Sequence, residues 1–211
     1  MVAAASLVAG DTVVDLAAGT GKLTRLLADR GLRVIAVEPI AEMREVLARH
    51  VDAEVIEGTA ESIPLADATA RVVTVAQAFH WFDPDRAPRE IARVLTHDGM
   101  LAIVANVRDK ANALQTALTE LIAPHKGTYP NHDWPDTLPE IFDVELVTFP
   151  HEHVMDEATF VERVASISWI GALPDDERER VLAETRALVA GRKEPIKLPY
   201  VTQVFLCRRR R

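Results

Sequence analysis

Thr12-Val13-Val14-Asp15-Leu16-Ala17-Ala18-Gly19-Thr20-Gly21-Lys22-Leu23 is the stretch whose reading decides the fold. Thr12 to Leu16 is a short apolar run of the kind that makes a buried strand. Leu23, Leu26 and Leu27 then share one face of a helix expected over Lys22 to Arg30. Between the two, Gly19 and Gly21 let the chain bend tightly and let a ligand approach bare main chain. The amino end of the helix offers unpaired N–H groups and a positive dipole to an anion. Nucleotide enzymes of many kinds share this arrangement, and two comparisons narrow it. A dinucleotide fingerprint asks for a third glycine three residues beyond Gly21, where Thr24 stands. A P-loop asks for a glycine and a Ser or Thr at the positions occupied by Leu16 and Leu23.

Working outward, the pattern repeats. Arg33 to Val37 reads as a second strand, and Ile40, Met43, Val46 and Leu47 stripe a second helix. Ala53 to Ile56 and Arg71 to Ala76 read as further strands. Ala87, Ile91, Val94 and Leu95 line a helix, and Met100 to Val104 makes a fifth strand after a turn at Asp98-Gly99. Strands rich in Val, Ile and Leu that alternate with amphipathic helices imply a parallel sheet covered on both faces. Beyond it come a helix through Leu114, Leu118 and Ile122, a loop from Pro124 to Pro139, and a strand from Val144 to Phe149. Helices striped by Phe160, Val164 and Ile167 and by Val181, Leu182, Thr185, Leu188 and Val189 follow, then a last strand over Tyr200 to Leu206. With no repeat and no linker, residues 1–211 are read as one domain: a cofactor-binding half, 1–106, and a substrate-side, sheet-completing half, 107–211.

Glu38 closes the second strand. In a doubly wound sheet a carboxylate there lies beside the glycine turn and can accept both hydroxyl protons of a ribose, while it repels a 2′-phosphate.

Composition limits what the protein does. A formal charge of −8 over 211 residues argues against general nucleic-acid binding, which depends on clustered Lys and Arg. The basic run Arg208 to Arg211 is read as a frayed, solvated tail. One cysteine, Cys207, gives neither a disulfide framework nor a metal cluster and suits a reducing cytoplasm. No apolar stretch has the length of a membrane span, and Met1 to Gly10 lacks the basic start of a signal peptide. The protein is read as cytoplasmic, with no membrane partner; a homodimer stays open.

Taken together, these residues resemble a known family. Val13-Val14-Asp15-Leu16-Ala17-Ala18-Gly19-Thr20-Gly21-Lys22-Leu23 is similar to the glycine motif of class I S-adenosylmethionine (SAM)-dependent methyltransferases of the type 11 kind. Val37-Glu38-Pro39 followed by Met43 resembles their acidic second motif, and Glu57 to Leu65 their adenine segment. Arg93-Val94-Leu95 with Asp98-Gly99 resembles their turn into the fifth strand. Gln77-Ala78-Phe79-His80-Trp81-Phe82-Asp83 resembles a small-molecule branch that includes relatives of trans-aconitate methyltransferase, as do Ile167 to Ile170 and Leu198 to Thr202. The resemblance implies a Rossmann-like α/β fold: a doubly wound, mostly parallel seven-stranded sheet with an antiparallel carboxyl-terminal strand. It implies SAM as cofactor, held by Asp15, Ala18, Gly19, Gly21, Glu38, Pro39, Met43, Ala60, Glu61 and Gln77. Thr59, His97, Asp98 and Arg71 depart from the family's pattern. Only Met1 to Asp11 precede the first strand, where relatives carry a longer stretch that caps the cofactor, so a less enclosed site is expected.

Methyl transfer from a sulfonium is an in-line displacement that depends on positioning and on excluding water. A carboxylate acceptor needs no base; for a hydroxyl or amine, His80 is the candidate to take the proton, and a packed structural His80 is the alternative. Phe79 and Trp81 are read as substrate contacts or as core aromatics. Among Arg89, Arg93, Arg108 and Lys110, Arg108 is the preferred partner for an acceptor carboxylate, because it follows the carboxyl end of a strand. His151 and His153 alternate onto one strand face, but without the companions of a metal site, and no metal is expected. His125, His132 and Trp134 lie in the loop where substrate selection could occur. The reading is methyl transfer to a small molecule, on oxygen of an acid or hydroxyl. The alternatives are an NAD- or nucleotide-dependent enzyme and a non-catalytic SAM-binding relative.

Overall fold

The computed structural model describes residues 2–109, 111–127, 138, 140–192 and 194–210. Strands β1 (Thr12–Leu16), β2 (Arg33–Val37), β3 (Glu54–Ile56), β4 (Ala70–Ala76), β5 (Leu95–Arg108), β6 (Phe142–Met155) and β7 (Ile196–Arg209) form one sheet in the order β3-β2-β1-β4-β5-β7-β6. The pairs from β3 to β5 are parallel, and β7 is antiparallel. The chain runs outward from β1 to β3 and then crosses back to lay β4 on the other side of β1. The strand order therefore reverses between β1 and β4. Open α/β sheets bind ligands at the carboxyl ends of the strands at such a point.

Helices α1 (Lys22–Ala28), α2 (Ala41–His50), α3 (Arg86–Val94), α4 (Ala113–Ile122), α5 (Glu157–Ala165), α6 (Ser168–Gly171) and α7 (Asp175–Val189) complete the elements. The chain divides into two compact units. The first comprises Met1–Ala105, Pro130–Thr148 and Gln203–Arg211; the second comprises Asn106–Tyr129 and Phe149–Thr202.

In the first unit, consecutive strand residues feed opposite faces of the sheet. Val14, Ile35, Val73 and Leu101 join one buried cluster, while Val13, Val34, Val72 and Ala102 join the other. Burying such a side chain contributes roughly 1.5–3 kcal/mol, and both faces must be covered, which is why these strands are mostly apolar. The second unit packs α5 and α7 together through Phe160, Val164, Val181 and Leu182. Asp156 caps α5 by accepting the Thr159 amide at 2.8 Å, and Asn112 caps α4 by accepting the Gln115 amide at 3.0 Å.

Several expectations are corrected. On α2 only Leu47 is buried, while Met43 and Val46, like Ile40 just before the helix, are exposed at 37–46%. Leu95 belongs to β5 and pairs with Ala70; the register then jumps to Met100 opposite Val72, so Asp98-Gly99 forms an irregularity inside the strand. β6 and β7 run well past their apolar centres, because exposed polar residues extend a strand without breaking it. As far as Arg210 the basic run is no frayed tail, and Arg211 lies outside the described residues. Arg208 and Arg209 end β7, Arg209 donates to the Ala92 carbonyl, and Arg210 pairs with Asp143 at 2.8 Å. Cys207 is buried in the core, and burial pushes its thiol up to about 12. Lys110, His132 and Trp134 lie outside the described residues. Among the described residues, no helix is long and apolar enough to cross a membrane.

Candidate active site at the carboxyl edge of the sheet

The ends of β1, β2 and β4 meet at the reversal in strand order, since Leu16 pairs with Val37 and Asp15 with Thr74. Asp15 is 1% exposed. Thr24 Oγ1 donates to one of its oxygens at 2.7 Å, and Thr74 Oγ1 to the other at 2.8 Å. Burial raises its carboxyl from 3.8 to about 6, against the two hydroxyl bonds, which lower it, and with a smaller upward push from Glu38. Asp15 therefore clamps the first turn of α1 onto β4. Thr24, noted in the sequence only as a missing glycine, is the far end of that clamp.

The turn after β1 bends through Ala17 at φ 55°, Gly19 at φ 58° and Gly21 at φ 83°. Glycine is needed at Gly19 and Gly21 for different reasons. A Cβ at Gly19 would meet nothing closer than the Met43 sulfur at 3.9 Å, so the main chain lies open there. A Cβ at Gly21 would lie 2.8 Å from Leu47 Cγ and 3.0 Å from Val51 Cγ2. Gly21 is buried where α1 begins against α2, and packing on the side a Cβ would take demands glycine there.

Glu38 is 3% exposed and follows β2 directly. One oxygen accepts the Gly19 amide at 2.8 Å and the other the Ile40 amide at 3.0 Å. Arg44, which the sequence reading missed, donates to the Glu38 and Pro39 carbonyls at 2.9 and 2.7 Å and to Glu57 at 2.8 Å. Its place in the first turns of α2 was the available signal. Pro39, Ile40 and Met43 are exposed beside this carboxylate, and Ala18 is half-buried.

The segment after β3 closes on itself between Thr59 and Ser62, burying Ala60 at 3%. Glu61 accepts the Asp83 amide at 2.9 Å and so joins this segment to the loop after β4. Arg93 is corrected as a candidate for the acceptor. It donates to the Ile63 and Leu65 carbonyls at 2.9 and 2.8 Å and is paired with Glu90 and Asp67. Its guanidinium holds the Glu90 carboxyl below the usual range.

After β4, Gln77 sits at φ 61°, a conformation costly for a side-chain-bearing residue and concentrated at functional sites. Its amide donates to the Val104 carbonyl. A 3₁₀ turn over Phe79–Trp81 follows. Phe79 is 3% exposed and packs on Phe82 at 5.5 Å, which places it in the core; Trp81 is 45% exposed, with the half-buried His80 ring 5.1 Å away.

In the second unit, Arg108 ends β5 and is half-buried, and His125 is paired with Glu177 at 2.8 Å. His153 faces Arg163 at 3.0 Å; burial, then Arg163 and His151, lower its pKa. Among the described residues no group of three or more side chains is arranged to hold a metal ion.

Comparison with known proteins agrees with this geometry. The family model described as a methyltransferase domain matches residues 14–103. An uncharacterised methyltransferase of Mycobacterium tuberculosis is 41% identical over 197 residues, covering 90% of this chain and 80% of that protein. A structure from Anaeromyxobacter dehalogenans, described as a type II methyltransferase, superposes with a TM-score of 0.70 at 24% identity over 94% of this chain and 89% of its own. A Haemonchus contortus phosphoethanolamine N-methyltransferase bound to S-adenosylhomocysteine shares the fold at a TM-score of 0.58 and 15% identity, over 97% of this chain and 50% of that one. The chain belongs to the class I SAM-dependent methyltransferases. It is a methyl-transferring enzyme, and its cofactor is S-adenosyl-L-methionine.

Proposed function

We propose that this enzyme methylates a small molecule on oxygen, at an acid or hydroxyl group. The observation that carries the reading is the Phe79–Trp81 turn, which sets half-buried His80 and exposed Trp81 directly after β4, at the sheet edge where Gly19 and Glu38 stand. The likeness of Gln77 to Asp83 to the small-molecule branch supports the same reading.

The residues present fit the cofactor. Gly19 leaves open space beside the main chain, and Glu38 offers a buried, oriented carboxylate for ribose hydroxyls. Ile40 and Met43 give an uncovered apolar surface next to it, suited to adenine. Asp15, Ala18, Gly21, Pro39, Ala60, Glu61 and Gln77 complete the set, with Asp15 and Gly21 acting by holding the turn in shape. When bound, SAM supplies a methyl carbon made electrophilic by a sulfonium. The chain's own task is then to orient the acceptor and exclude water. His80 takes the proton of a hydroxyl acceptor; a carboxylate acceptor has none to lose. Trp81 offers an aromatic face to the acceptor.

Small metabolites are the partners in this reading, with no nucleic acid, in a chain carrying net charge −8. The single, buried cysteine supports a reducing, cytoplasmic setting. A labelled-methyl assay over small acids, phenols and amines, run beside His80→Ala, tests the proposal. Methyl esters or ethers are expected, with turnover of hydroxyl acceptors reduced in His80→Ala. Methylation of amines alone, with His80→Ala fully active, would contradict it.

A further inference from the structure

A second cluster of charge lies at the other edge of the sheet. Arg71 stands at the start of β4, His97 and Asp98 at the start of β5, and Arg208 and Arg209 at the end of antiparallel β7. All therefore sit at the amino-terminal edge of the parallel strands, away from Gly19 and Glu38. With Ala5 they line a depression of about 390 Å³. Among the described residues, three arginines and one carboxylate, Asp98, line it, in a chain of net charge −8.

The hydrogen bonding points the same way. Arg71 donates to the Ala5 carbonyl at 3.3 Å and lies 3.8 Å from Asp98, whose other oxygen accepts from Thr96 Oγ1 at 3.1 Å. The Arg71 Nε is buried and has no acceptor among the described residues. A buried donor without an acceptor is unusual, because it has lost water and gained nothing. Arg209 donates to the Ala92 carbonyl at 3.2 Å. A guanidinium carries five N–H donors, and the contacts named here engage only part of them. Forked guanidinium donors suit an oxyanion, and arginines that outnumber the carboxylates lining the depression suit a multiply charged one.

We propose that this depression binds a phosphate group, free or as the monoester of a small metabolite. The site is separate from the cofactor turn, and the proposal does not depend on the identity of the methyl acceptor. Its volume exceeds that of the anion alone and leaves room for an organic remainder.

Calorimetric titration and thermal melting at fixed ionic strength test it, with inorganic phosphate, glucose 6-phosphate, citrate and sodium chloride as probes. Phosphate is expected to bind saturably and to raise the melting temperature, whereas chloride does neither. Glucose 6-phosphate binding tighter than phosphate identifies a monoester site; phosphate binding as tightly identifies a site for the free anion. Arg208→Glu changes an exposed side chain and should weaken phosphate at least tenfold in a folded protein, as should Arg71→Gln. S-adenosylhomocysteine affinity, measured alongside, should be unchanged in both variants. Wild-type phosphate affinity in folded Arg208→Glu and Arg71→Gln would overturn the proposal, as would citrate or chloride acting as strongly as phosphate.

Discussion

Glu38 accepts the Gly19 amide at 2.8 Å while its second oxygen accepts the Ile40 amide at 3.0 Å, so one buried carboxylate joins the turn after β1 to the entry of α2. The side chain is thereby oriented in the folded protein, and little ordering remains when a ligand arrives. Thr24 and Thr74 orient Asp15 in the same way.

Asp15 makes stability depend on pH in a definite direction. Its folded pKa, about 6, lies above its ordinary 3.8, so the folded protein holds the extra proton between these values. As pH rises from about 4 through 6, this group removes on the order of 2–3 kcal/mol of stability. Asp15→Asn, which keeps the shape and stays neutral, should flatten that part of the profile in urea unfolding between pH 4 and 7. An identical decline in the variant would assign the loss to other groups.

Gly19 and Gly21 should separate in their effects. Gly21→Val places a branched side chain against Leu47 and Val51 at positive φ and should cost about 2–4 kcal/mol of stability. Gly19→Ala meets open space and should cost about 1 kcal/mol, while weakening S-adenosylhomocysteine disproportionately. A Gly21→Val protein as stable as wild type would reject the packing role.

Arg93 is expected to stabilise the Ile63–Asp67 segment. Arg93→Ala leaves the Ile63 and Leu65 carbonyls short of a donor and should cost roughly 1–3 kcal/mol. Arg93→Lys should recover only part, because an ammonium cannot reproduce the planar fork. Unchanged unfolding midpoints in both variants would show that the network contributes nothing.

Much of this architecture is legible in the residues. The mostly apolar runs at Thr12 to Leu16, Arg33 to Val37 and Arg71 to Ala76 give strands at or within one residue of those bounds, because strands buried on both faces carry few polar residues. Glu38 was marked by its place after β2. What periodicity could not tell was which apolar faces the chain covers. Ile40, Met43 and Val46 have helical spacing yet face outward, and Gly21 serves a contact with Leu47, 26 positions on. Arg93 and the basic run at Arg208 depend likewise on partners distant in sequence, which no local pattern encodes.

We propose that Glu38, oriented by the Gly19 amide, holds the ribose of the cofactor. Calorimetric titration of S-adenosylhomocysteine into wild type, Glu38→Gln and Glu38→Ala, each shown folded by circular dichroism, tests it most directly. Charge-assisted hydrogen bonds contribute about 1.5–3 kcal/mol each, so Glu38→Ala should lose at least tenfold in affinity, with Glu38→Gln between it and wild type. Wild-type affinity in folded Glu38→Ala would contradict the account.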